Sequence, residues 1–182
     1  TEGYMMTGDV PTFKIFDASE GEYHDATASD NIPWTNMGMP FIDSLENLVA
    51  PTLFSFETST LPAAYFFTSA TIDGTELSPD DWVGAFNGEV CVGARKWDTS
   101  QCSNGVCDVP VMGEDNYDWT AGYMQSGDIP TFMVFDYSEN DYYDAVASEN
   151  IPWENLGMNI IDDLNVFPDC SGDLGGTAWE SD

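Results

Sequence analysis

The side chains of this 182-residue chain that could do chemistry are mostly carboxylates: 33 Asp and Glu stand against three Lys and Arg, a net charge of −30. Ca²⁺ is the ligand that such a set suits best, since it takes six to eight oxygens and favours aspartates crowded into turns. Asp169, Ser171 and Asp173 alternate ahead of Gly175-Gly176, and Asp80 and Asp81 follow Ser78-Pro79. Glu114-Asp115-Asn116 forms another cluster, as does the run from Asp136 through Ser138 and Glu139 to Asp141, which Asp17, Ser19, Glu20 and Glu22 echo. Bound Ca²⁺ is therefore expected, with Asp17, Glu20, Asp80, Asp81, Asp136, Glu139, Asp169, Ser171 and Asp173 as its candidate ligands.

Catalytic patterns are sparse. His24 is the lone histidine, and a serine or cysteine nucleophile needs a base within reach. Two suitably spaced carboxylates suffice for glycoside hydrolysis, but nothing marks any one pair among 33. No Gly-rich phosphate loop occurs, and the Cys102 to Cys107 spacing does not make a zinc knuckle. The chain is expected to be no enzyme. Aromatics offer a different chemistry: Tyr117, Trp119, Tyr142 and Tyr143 could stack on sugar rings, with neighbouring carboxylates holding hydroxyls. Nucleic acid and anionic lipid are unsuitable partners for so acidic a chain, and no run of apolar residues is long enough to insert in a membrane.

These residues are carried on an internal repeat. Thr1-Glu2-Gly3-Tyr4-Met5 returns as Thr120-Ala121-Gly122-Tyr123-Met124, and Asn31-Ile32-Pro33-Trp34 as Asn150-Ile151-Pro152-Trp153. The offset never changes between residues 1–45 and 120–164, and more than half of the aligned positions are identical. His24 becomes Tyr143 and Lys14 becomes Met133, so no mechanism common to both copies can use either. Trp34 and Trp153, each after Ile-Pro, are expected core anchors.

Similarity ends after Leu45 and Leu164, as at a module boundary. The expected organisation is a complete module at 54–165, a linker at 49–53 and an acidic, Gly-rich tail at 166–182. Residues 1–48 are then the second half of a preceding module, and the chain is a mature product or a window on a longer polypeptide. Half a sandwich exposes apolar faces and bare strand edges. Residues 1–48 are therefore expected to recruit a copy of the 54–119 segment from outside this stretch, by strand addition.

Strand signals dominate, with turn residues about every 8–12 positions, so the fold class is all-β: antiparallel β-sandwich modules, Ig-like or jelly-roll-like, in tandem. Trp82–Phe86 and Glu89–Arg95 flank Asn87-Gly88, whose tolerance of positive φ predicts a type I′ hairpin, and Asp73-Gly74 is a similar signal. Thr12–Phe16 and Thr131–Phe135 are apolar strands that each end at an aspartate. Arg95, in mid-strand, calls for an ion-pair partner. Cys102 and Cys107 look like a loop closed by its own disulfide, which implies an oxidising, extracellular or cell-surface location. Cys91 and Cys170 are candidates for a second bridge, with the pairing open.

The hairpin Asp81-Trp-Val-Gly-Ala-Phe-Asn-Gly-Glu-Val-Cys-Val-Gly-Ala94 resembles modules that recur in large secreted proteins of marine and other environmental bacteria. Asp169-Cys-Ser-Gly-Asp-Leu-Gly-Gly176 is similar to acidic, Gly-rich repeats of the thrombospondin type 3 kind, without their full run of aspartates. The resemblance covers most of 54–182. It implies an extracellular β-sandwich in a surface, adhesive or fibre-forming protein, partnered end to end by other copies of itself, and carries no catalytic residues. A polysaccharide-binding module is the competing expectation.

Overall fold

The computed structural model describes residues 4–17, 21–46, 50–103, 105–168 and 174, and the chain divides into two compact units, Thr1–Val49 and Ala50–Asp182. The first is a three-stranded antiparallel sheet in the order β1 (Phe13–Asp17), β2 (Glu22–Ala28), β3 (Leu45–Glu46). Phe13 faces Ala26 across β1 and β2, and Ala28 faces Leu45 across β2 and β3.

The second unit holds the remaining strands: β4 (Pro62–Ile72), β5 (Thr75–Glu76), β6 (Trp82–Asn87), β7 (Val90–Lys96), β8 (Cys107–Met112), β9 (Thr131–Asp136), β10 (Asp141–Ala147) and β11 (Met158–Val166). They follow one another in the order β5-β4-β11-β10-β9-β6-β7, with β8 also paired to β4. β10 is the corner of the curl, because Asp141–Ala145 pair with β9 while Val146 and Ala147 pair with β11. The result is the expected all-β, sandwich-like fold, and one pair of its strands departs from antiparallel pairing. β11 lies parallel to β4, from Met158 against Ala64 to Val166 against Ile72.

Alternation builds the core. Ala63, Tyr65 and Phe67 of β4 point inward with Val109 and Val111 of β8, Phe132 and Val134 of β9, and Ile161 and Leu164 of β11. Burying each large side chain in such a set is worth about 1.5–3 kcal/mol. A second cluster covers the opposite face of β6, β7 and β9, where Phe54 packs with Phe86, Cys91, Ala94 and Phe135. Phe54 is fully buried and ends a short 3-10 turn, Thr52–Phe54. Residues 50–53 therefore run into the module rather than acting as a linker: the unit begins at Ala50, and the turn that they form delivers a core side chain. At the other end β11 continues through the buried Val166, and Leu174 bridges to Pro168 and packs on the main core.

Only one of the two hairpin signals keeps the expected turn type. Asn87 pairs with Val90, so the loop is Gly88-Glu89, and of these two only Gly88 has positive φ, at 61°, as in a II′ turn. Asp73 and Gly74 both have positive φ, 46° and 76°, the I′ pattern. The shift in the first hairpin accompanies a bulge at Ala85 and Phe86.

Cys102 and Cys107 are disulfide-bonded with their Cα atoms 5.0 Å apart, and Cys107 begins β8. Closing so short a loop stabilises by about 2 kcal/mol through the unfolded chain. Reduction with dithiothreitol should lower the unfolding free energy measured in urea by that amount while leaving the far-ultraviolet spectrum of the folded state unchanged. Cys91 is a buried free thiol, so the second bridge does not form there, and Cys170 lies outside the described residues. Arg95 meets its expected partner, with its Nη1 2.6 Å from Oδ1 of Asp108 on β8. Among the described residues no helix is long and apolar enough to cross a membrane.

Candidate functional site

Among the described residues the acidic clusters do not converge. Asp81 is buried, and its two carboxylate oxygens accept from the backbone N–H of Ser78 at 2.6 Å and of Tyr137 at 3.0 Å. Asp80 pairs instead with Lys96 Nζ, 2.9 Å away. Asp136 closes its own turn, accepting from the N–H and hydroxyl of Ser138 and from the N–H of Glu139. Glu139 accepts from the Tyr143 hydroxyl at 2.9 Å. Each of these carboxylates thus has at least one oxygen engaged by nearby backbone or a neighbouring side chain, the ordinary use of aspartate in a turn. Among the described residues no three His, Cys, Asp or Glu side chains gather as a cation requires. The Asp17 side chain and Glu20, Asp169, Ser171 and Asp173 lie outside what is described.

The four aromatics part company as well. Tyr143 is buried in the main core and Tyr142 packs on Phe54 and Phe135, at ring distances of 5.4 and 4.7 Å. Neither belongs to a platform: consecutive strand residues face opposite sides, and here both sides are covered. Tyr117 and Trp119 are exposed and stack nearly parallel, with centroids 4.5 Å apart. The loop that carries them borders an open groove of about 600 Å³ whose rim includes Glu114, Asp115 and Glu154, with Trp153 at the wall.

The carboxylates of that groove are held rather than poised. Asp115 accepts from the N–H and hydroxyl of Thr60 and from the Tyr117 N–H and the Thr120 hydroxyl. The Thr60 N–H foremost, with these other donors, keeps its pKa below the ordinary carboxylate value. Asp98 is lowered in the same way, chiefly by the Ser100 hydroxyl. A general acid needs the opposite shift. Glu154 accepts from Ser126 at 2.7 Å, and Glu114 from Gln125 at 3.3 Å.

Phenols move the other way. Burial raises Tyr65 and Tyr123, and burial assisted by the Glu139 carboxylate pushes Tyr143 up to about 12. The folded state therefore favours the neutral phenols. Their contribution is complete below pH 10, where unfolded tyrosine also stays neutral, and is lost as pH rises from 10 towards 12. The urea midpoint should fall between pH 9 and pH 11, and Tyr143→Phe should fall less over that interval than the parent chain.

The largest difference between neighbouring parts of the molecule lies in the repeat. β1 and β2 pair in the same register as β9 and β10, so that Phe13 faces Ala26 as Phe132 faces Ala145. The Gly8 N–H donates to the Trp34 carbonyl at 3.0 Å, as Gly127 does to Trp153, also at 3.0 Å. Even the non-glycine positive φ recurs, 59° at Met37 and 62° at Leu156. What differs is cover. Tyr4 is 78% exposed against 4% for Tyr123, Phe16 51% against 7% for Phe135, and Trp34 36% against 3% for Trp153.

The residues that supply the cover are known. β6 pairs with the outer edge of β9, placing Ala85 against Phe132 and Trp82 against Phe135. β4 pairs with β11, Phe54 closes over Tyr142, and the Val111 carbonyl accepts from Trp153 Nε1 at 3.0 Å. All belong to residues 54–112. Among the described residues the outer edges of β1 and β3 carry no strand. Phe54 was not singled out by sequence, because its partners are distant and it stands outside any periodic run. Tyr23 was not singled out either, although Phe16 and Tyr23 both recur unchanged, as Phe135 and Tyr142. No protein-family model, no curated protein and no solved structure matches the chain.

Proposed function

We propose that this chain is a structural repeat of a secreted bacterial surface protein, arranged end to end with further repeats in an extracellular filament, stalk or adhesin. The observation that carries this is the uncovered half-module: residues 4–46 keep the registers and turns of 120–166, yet leave Tyr4, Phe16 and Trp34 open. Large aromatic side chains left open where the second copy buries them mark an interaction site. The disulfide supports an oxidising location. The charge of −30 keeps such a surface dispersed until its specific partner arrives. The resemblance of the 81–94 hairpin to modules of large secreted bacterial proteins points the same way. Spent carboxylates and depressed acids fit a role without catalysis. Electron microscopy of material from the native source tests this: filaments or stalks with a regular axial repeat are expected, and isolated globules would refute it.

A second reading has its own observation. The exposed Tyr117–Trp119 stack beside an acidic groove is suited to a polysaccharide. Retardation in gels containing polysaccharide, abolished by Trp119→Ala, would support a binding module, and equal mobility with and without polysaccharide would remove it.

A further inference from the structure

We propose that the face of residues 4–46 is filled by a further segment of the 54–119 type, seated in the register that β4 and β6 adopt on residues 120–166. This rests on the assembly proposed above and names the partner at its joint. The same interface already exists once in the molecule, and its geometry transfers position by position. A β6-type strand would add antiparallel to the outer edge of β1, with Val83 opposite Ile15, Ala85 opposite Phe13 and Trp82 opposite Phe16, because Val134, Phe132 and Phe135 hold those places on β9. A β4-type strand would add parallel to β3, with Ala70 opposite Leu45, as it lies opposite Leu164. A Phe54-type ring would cover Phe16 and Tyr23, whose rings sit 4.9 Å apart, as Phe54 covers Phe135 and Tyr142, 4.7 Å apart. Among the departures from the pattern are Lys14 at Met133, His24 at Tyr143, Pro40 at Asn159 and Asn47 at Val166. A lysine stem can lie along the apolar wall with its ammonium in water.

Counting excludes a copy of these 182 residues as the occupant. Each copy brings one half of the 54–119 type and two of the other, and its own 120–166 fills the single seat. Any number of copies leaves one open face per chain, so strand exchange among them only relocates the vacancy. An added half of the 54–119 type is what closes it.

The test joins a second copy of residues 50–119 directly ahead of Thr1, repeating the junction between Trp119 and Thr120, and compares this extended chain with residues 1–182. Binding of the dye anilinonaphthalene sulfonate should fall several-fold on extension. Register is read separately. Val83→Cys in the added copy together with Ile15→Cys should form a disulfide under mild oxidation, located by peptide mapping, while Val83→Cys with Lys14→Cys, one residue out of step, should stay reduced. Undiminished dye binding, or a bridge in the slipped pair and none in the matched one, would overturn the proposal. Dye binding is measured on unsubstituted chains, so a cysteine variant that fails to fold does not spoil it. A matched bridge alongside globular native material would leave the split module standing and remove the filament.

Discussion

Gly93→Ala is expected to destabilise residues 50–166 by more than about 4 kcal/mol, a loss reserved for severe packing faults. A Cβ on Gly93 would fall on the backbone carbonyl oxygen of Pro110, where β7 crosses β8. That carbonyl cannot swing aside as a side-chain tip would, because Pro110 is paired to Ala64 on β4. The strands would have to separate, and Val92, Val109 and Val111 would leave the core together. Gly88→Ala is the control: its Cβ meets open space and only the positive φ of 61° resists, a cost of about 1 kcal/mol. Urea unfolding of both variants checks this, and equal losses would show that space at Gly93 is not the constraint.

The second large effect separates two identical residues. Trp153→Ala should cost about 3–5 kcal/mol, the range for emptying a buried aromatic site, and it strands the Val111 carbonyl that accepts from the indole. Trp34→Ala in the same chain should cost less than about 1 kcal/mol, because that ring remains partly in water. Both retain the backbone bond from the Trp N–H to an aspartate carbonyl, Asp9 or Asp128, at 2.7 Å. Cover by the 54–119 half is what distinguishes the pair. Extension by a second copy of 50–119 should bring the cost at Trp34 up to that at Trp153. Equal costs in the unextended chain would mean that the first repeat copy already has a closed core.

Much of this was legible because the repeat and the strands are local. Phe132, Val134 and Ile161 alternate with outward residues, and a period of two marks strands from sequence alone. The parallel seat of β11 on β4 was not, because alternation tells which face of a strand is buried and nothing about which strand lies beside it. Tyr142 and Tyr143 looked exposed for the same reason: only the arrival of Phe54 and the curl of the sheet cover both. The acidic clusters do not gather among the described residues, because nearness along the chain is not convergence in space. Asp81 faces the N–H groups of Ser78 and Tyr137, and an aspartate in a turn is as readily a cap as a ligand. Of the turn signals, Asp73-Gly74 took the I′ form while a bulge displaced Asn87-Gly88 from it.

Incompleteness of residues 4–46 is the claim on which assembly rests, and amide hydrogen exchange of residues 1–182 tests it most directly. Protection measures how much structure must open before an amide meets water. Amides of Phe132 to Phe135, flanked by β10 and β6, should exchange only with global unfolding of their unit, while those of Phe13 to Phe16 exchange orders of magnitude faster. Equal protection of the two stretches would contradict it, since a half-module without its partner strands cannot hold its amides as a closed one does.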